Sequence, residues 1–79
     1  MAAPTMMSEA YSEDIADGLM VEVHVDQYGA YWVGVTTLRS PNDWTFRPRA
    51  QYGIGEGGRR MAIDEARSIA AGIRYDAAR

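Results

Sequence analysis

The chain has 79 residues with 11 acids, eight bases, one histidine and no cysteine, for a formal net charge of −3. That length allows a single domain. The lack of cysteine excludes disulfides and thiolate metal sites, and the lone His24 excludes two-histidine metal patterns, so neither a metal nor a cofactor is expected.

The charges are segregated along the chain. Glu9, Glu13, Asp14, Asp17, Glu22 and Asp26 all precede the first base, Arg39. Every base is an arginine: Arg39, Arg47, Arg49, Arg59, Arg60, Arg67, Arg74 and Arg79. Such asymmetry suggests a binding protein with two dissimilar faces. Exclusive arginine with abundant alanine and glycine fits a GC-rich bacterial or phage genome. No apolar run is long enough to span a bilayer. Met1 to Ala10 lacks the basic and apolar segments of a secretory signal, so a cytoplasmic protein without membrane partners is expected.

Residues 1–17 are polar and acidic. Met7, Tyr11 and Ile15 recur at a spacing of four, which predicts a short helix capped by Thr5 or Ser8 and ended by Gly18, or else an acidic tail. The remainder, 18–79, is expected to form one α+β domain. Leu19 to Asp26 alternates as a strand, with Leu19, Val21, Val23 and Val25 on one side and Met20, Glu22, His24 and Asp26 on the other. Gln27-Tyr28-Gly29 reads as a three-residue loop with Gly29 in the left-handed position. Tyr31 to Leu38 returns, pairing Val25 with Tyr31, Val23 with Val33, Val21 with Val35 and His24 with Trp32.

Ser40-Pro41-Asn42-Asp43 reads as a turn. Trp44 to Tyr52 follows as a third strand, which Pro48 confines to the sheet edge. Its register has two solutions. A simple one pairs Phe46 with Thr36 and Trp44 with Leu38, and sets Arg47 and Arg49 on the valine face. A bulge instead sends Trp44 and Phe46 to the core, and is favoured here because burying unpaired arginines is costly. Gly53 to Gly58 reads as a flexible loop. Arg59 to Ala78 is a helix with an apolar stripe of Ala62, Ala66, Ile69, Ala70, Ile73 and Ala77. The predicted architecture is a three-stranded antiparallel sheet packed by one long C-terminal helix, with an optional short N-terminal helix.

Chemistry-bearing motifs are sparse. Gly53-Ile54-Gly55-Glu56-Gly57-Gly58 matches the G-x-G-x-x-G pattern, but the chain is too short for the parallel sheet that a dinucleotide needs. His24 and Glu22 share a strand face and can form a carboxylate–imidazole pair, yet no nucleophile accompanies them. No catalytic residue is assigned and an enzyme is not expected. Arg47, Arg49, Arg59 and Arg60, with Trp44 and Tyr52, are candidates for phosphate and base contacts.

Three strands, Gly55-Glu56-Gly57 and a helix reading Asp64-Glu65-Ala66-Arg67-Ser68-Ile69-Ala70-Ala71 resemble the last half of a double-stranded-RNA-binding domain. Ile63 and Asp64 stand where that family has a basic pair, so the resemblance implies the layout and no phosphate clamp. The Tyr28-Gly29-Ala30-Tyr31-Trp32-Val33 hairpin and the Asp64-Glu65-Ala66 helix start are similar to small antitoxins that cover a toxin.

The expected function is that of a non-enzymatic protein-binding module. In size and build it is similar to phage or prophage inhibitors of the anti-CRISPR type, which would occlude a basic nucleic-acid-binding surface of a larger host protein or protein–nucleic-acid complex. Glu9, Glu13, Asp14, Asp17, Glu22 and Asp26 form the acidic candidate surface, and Trp32, Trp44, Arg47, Arg49, Arg59 and Arg60 the aromatic and arginine one. The alternatives are a small nucleic-acid-binding regulator using the arginines, and a homodimeric structural phage protein.

Overall fold

A computed structural model of the chain describes residues 7–78. The Thr5 cap and Arg79 lie outside the described residues. The elements run β1 (Met7–Ala16), β2 (Leu19–Asp26), β3 (Tyr31–Leu38), β4 (Trp44–Tyr52) and α1 (Gly55–Ala78). The strands form one antiparallel sheet in the order β1-β2-β3-β4, and α1 packs across one face of it. The α+β class with a C-terminal helix is as read from the sequence, but the sheet has four strands where three were predicted.

The extra strand is β1, where the sequence pointed to a short helix or a tail. A spacing of four fits one face of a strand as well as one face of a helix, so the Met7, Tyr11, Ile15 pattern did not discriminate. Tyr11 and Glu13 pair with Val23 and Val21, and Tyr11 and Ile15 pack against the core. A register shift between Glu9 and Tyr11 turns Met7 to the opposite face, where it pairs with Asp26. Asp17-Gly18 makes the connection to β2, with Gly18 at φ 74°. An Asp-Gly pair between two strands is a hairpin signal, and it overrides the reading of Gly18 as a helix stop.

The central hairpin follows the predicted register throughout, from Leu19↔Thr37 to Val25↔Tyr31, with His24 opposite Trp32. Gly29 takes φ 88°, as its loop position requires. Asn42 has φ 67° behind Pro41, and the Asp43 N–H donates to the Ser40 carbonyl at 2.9 Å, a type II turn signature.

β4 is an edge strand, as Pro48 demands. Its register corrects the favoured solution. Phe46 pairs with Thr36 and Trp44 with Leu38, so neither aromatic enters the helix-covered core. A bulge does occur, but later: Val33 pairs with Ala50 and Gly34 with Pro48, which leaves Arg49 as the extra residue. Ala50 and Tyr52 therefore reach the core face and Trp44 and Phe46 do not. The bulge also separates Arg47 from Arg49, so the two do not simply share a face. Arg47 lies opposite Val35 on the helix side yet remains exposed on the edge strand. The burial cost that argued against this register does not arise.

Gly34 makes the register possible. A Cβ there would sit 2.2 Å from the Arg47 carbonyl oxygen and 2.7 Å from the Pro48 Cα.

The helix starts one turn earlier than predicted. Gly55 to Gly58 form its first turn and are no flexible loop. Gly58 is buried against the chain that enters the helix: a Cβ would lie 1.7 Å from the Gly53 carbonyl oxygen. Gly58, Ala62, Ala66 and Ala70 recur every four residues along the buried stripe. These small residues let the helix approach a floor of fully buried Val21, Val23 and Val33. Ile63, Ile69 and Ile73 flank the stripe, whereas Ala77 is exposed. No helix among the described residues is long and apolar enough to cross a membrane.

Candidate protein-binding site

The helix covers the valine face, and no other described element covers the opposite one. That uncovered face carries Met7, Glu9, Ser12 and Asp14 from β1 and Met20, Glu22, His24 and Asp26 from β2. Trp32, Gly34, Thr36 and Leu38 come from β3, and Trp44, Phe46 and Pro48 from β4.

Its centre is a polar network. Glu22 is only 8% exposed, and its carboxylate accepts a hydrogen bond from the Thr36 hydroxyl. His24 Nε2 stands 3.3 Å from the same Glu22 oxygen. Phe46 stacks on His24 with ring centroids 4.1 Å apart and planes tilted by 31°. The sequence placed Trp32 beside His24 and missed both Phe46 and Thr36. The simple β4 register, which sets Phe46 opposite Thr36, held the signal for both. A hydrogen bond shared with Glu22, together with burial and the Glu22 charge, raises the Glu9 pKa above its ordinary value. Burial opposes ionisation of Glu22, but hydrogen bonds from Glu9, Thr36 and His24 outweigh it and hold its pKa below the ordinary value.

Asp26 organises the β2–β3 loop. One carboxylate oxygen accepts from the Tyr28 N–H at 2.8 Å and the Ala30 N–H at 3.0 Å. The other accepts from the Trp32 indole N–H at 2.8 Å. The Trp32 hydrogen bond, reinforced by the backbone donors, holds the Asp26 pKa below its usual value despite burial. Among the described residues no buried side-chain nitrogen or oxygen lacks a partner.

The six acids grouped by the sequence therefore divide three ways. Glu22 and Asp26 are buried in the networks above. Glu13 faces the helix side, where it accepts hydrogen bonds from Tyr11 and from the Arg74 guanidinium, and these two bonds lower its pKa. Glu9 and Asp14 on β1, with Asp17 in the adjoining turn, are exposed. Of the six, these three are the exposed ones, and Glu9 is also tied to Glu22.

The aromatic and arginine candidates separate similarly. Trp32 is buried and bonded to Asp26, whereas Trp44 is 48% exposed. Arg49 borders a shallow cavity of about 240 Å³ with Trp32, Pro48 and Gln51. Arg59 and Arg60 are exposed on the first turns of α1, Arg59 pairing with Glu56 at 3.3 Å. Arg67 lies over the Tyr11 ring at 5.8 Å, and Arg74 also donates to the Asp14 carbonyl, so two helix arginines hold β1 from the covered side. The uncovered face thus carries acids along β1, and the arginines lie on the helix, on the helix side of β4 or at its bulge, apart from Arg39 in the β3–β4 turn.

Among the described residues, no group of three or more His, Asp or Glu side chains is placed to hold a metal ion. The chain matches no protein-family model, no curated protein and no solved structure with significance.

Proposed function

We propose that this chain is a non-enzymatic protein-binding module that sets the β1 side of its uncovered sheet face against a basic surface of a larger partner. The carrying observation is the exposed Glu9 and Asp14 on edge strand β1, with Asp17 in the turn that follows, beside a sheet face that no described element covers. Charge complementarity of this kind governs encounter and register with a partner. Such a surface competes well with nucleic-acid phosphates for a basic groove. That is the mode of action of a phage-encoded inhibitor of the anti-CRISPR type, acting in the cytoplasm of a bacterial host.

The test is affinity capture from a GC-rich bacterial lysate, with and without nuclease, using the natural chain beside a Glu9→Gln/Asp14→Asn variant. A protein complex that survives nuclease and is lost with the variant supports the reading. Equal capture by both chains overturns the acidic-surface reading.

A second reading has its own support. Arg47, Arg49 and Arg60 are exposed, and among the described residues none of them makes an ion pair. A nucleic-acid-binding regulator using these groups would retain RNA or DNA in a salt-dependent way, and would lose it when they become alanine. A homodimer joined through the β4 edge would instead sediment as a dimer at higher concentration.

A further inference from the structure

Two half-exposed apolar side chains stand side by side at one end of the sheet. Leu38 and Trp44 are cross-strand partners on the uncovered face, 38% and 48% exposed. The β1–β2 turn is fastened beside them by the Leu38 N–H, which donates to the Gly18 carbonyl at 2.9 Å. Between them lies an open groove of about 570 Å³, lined by Asp14, Ile15, Asp17, Gly18, Leu38 and Trp44. It is therefore bordered by Leu38 and Trp44 from the ends of β3 and β4 and by Asp14 and Asp17 from the end of β1 and its turn.

Neither Asp14 nor Asp17 makes a side-chain ion pair among the described residues. Arg39, next in sequence to Leu38, has its backbone N–H bonded to the Asp43 carbonyl in its own turn and forms no ion pair with either aspartate. The groove thus brings an aromatic residue together with two aspartates that make no side-chain ion pair among the described residues, Arg74 reaching only the backbone carbonyl of Asp14.

We propose that this groove receives an arginine side chain of the protein partner, with the guanidinium against the Trp44 ring and within reach of Asp14 and Asp17. This rests on the protein-binding reading above and names the anchor residue the partner brings. A guanidinium is the group that suits the indole and the aspartates together. Its planar face stacks on an indole, and its edge presents paired N–H donors to a carboxylate. An ammonium offers neither the plane nor the fork. A nucleic-acid strand is disfavoured, because its phosphates would approach two carboxylates. Arg and Trp are also among the residue types enriched at the energetic centres of protein interfaces.

The experiment uses the full chain labelled with nitrogen-15 and three end-blocked tripeptides, Gly-Arg-Gly, Gly-Lys-Gly and Gly-citrulline-Gly. The two indole N–H resonances are assigned with Trp44→Phe. The Trp32 indole, bonded to Asp26, serves as the internal fold control. The arginine peptide should shift the Trp44 indole and the Asp17 and Gly18 amides saturably, at roughly millimolar affinity for so small a probe. The lysine peptide should bind more weakly and the neutral citrulline peptide not at all. Asp14→Asn/Asp17→Asn should weaken the arginine peptide by roughly tenfold or more, with the Trp32 indole unmoved.

Absence of a Trp44 shift overturns the proposal, as does an equal response to citrulline. A Trp44 shift that grows with protein concentration alone gives the groove to a second copy of the chain, and overturns it too. Since the titration needs no partner, its failure is distinguishable from that of the wider reading. Lysate capture that depends on Glu9 and Asp14 with a silent Trp44 indole removes the arginine anchor alone.

Discussion

At the residue scale, Asp26 and Gly34 carry more of the architecture than their sequence neighbours suggest. Asp26 accepts two backbone N–H groups and the Trp32 indole, and these bonds lower its pKa. A carboxyl whose folded-state pKa is depressed contributes stability that is present above its ordinary value and lost as pH falls through the folded-state value. Glu13 and Glu22 act in the same direction. Glu9 opposes them: its raised pKa makes a contribution that is present below the ordinary carboxyl value and lost as pH rises through the folded-state one. Three depressed groups against one raised predict a net loss of stability on acidification below about pH 4. Urea unfolding at neutral pH and near pH 3 should show that loss, and Asp26→Asn should begin less stable and lose less. An Asp26→Asn profile parallel to that of the natural chain would show that the indole and loop bonds do not stabilise the charge. Gly34 acts through space. A methyl group there meets the Arg47 carbonyl and the Pro48 Cα, both backbone atoms that cannot rotate away. Gly34→Ala should therefore cost about 2 kcal/mol or more by displacing β4, read as a lower urea midpoint.

At the element scale, the helix–sheet interface is built from small residues against valines, so it tolerates little added volume. Ala66 is fully buried in the middle of the α1 stripe. Ala66→Leu should destabilise by about 1–3 kcal/mol through overpacking, measured by thermal or urea unfolding. Arg74 reaches Glu13 from a half-exposed position, so Arg74→Ala should cost under about 1 kcal/mol. A cost for Arg74→Ala equal to that of Ala66→Leu would mean that β1 is held by its ion pair more than by Tyr11 and Ile15. The interface also explains what could be read in advance. The β2–β3 hairpin was legible residue by residue, because strict alternation and one loop glycine fix both register and face. Strand β1 was not, because a spacing of four fits either period and two register shifts break its alternation. The β4 register turned on a premise about burial. The valine face was taken as covered everywhere, whereas α1 leaves the Arg47 position open to solvent.

At the scale of the whole molecule, the segregation of charge along the sequence carries over into space only in part, because Glu56, Asp64, Glu65 and Asp76 lie among the helix arginines. Half of the N-terminal acidic group is taken up by the fold: Glu22 and Asp26 in buried networks, and Glu13 by Arg74. Side-chain exposure cannot be read from charge alone, so the sequence held the composition of the site and not its membership. What remains is an edge strand bearing Glu9 and Asp14, with Asp17 in the turn beyond it, and arginines on the helix, on the helix side of β4, at its bulge and, as Arg39, in the β3–β4 turn. Two opposed surfaces make two separable electrostatic predictions. If the β1 side meets the partner, Glu9→Lys/Asp14→Lys should reduce affinity by at least about tenfold and slow association more than it speeds dissociation. Arg59→Ala/Arg60→Ala should leave the same complex within about twofold of the natural affinity. Kinetics on a surface carrying the captured partner, at low and at raised salt, would read both. Salt should slow association of the natural chain and leave that of the charge-reversed one unchanged or faster, since screening there acts on repulsion. The reverse pattern, with sensitivity in Arg59 and Arg60 and indifference at Glu9 and Asp14, would transfer the binding surface to the helix N-terminus and favour the nucleic-acid reading.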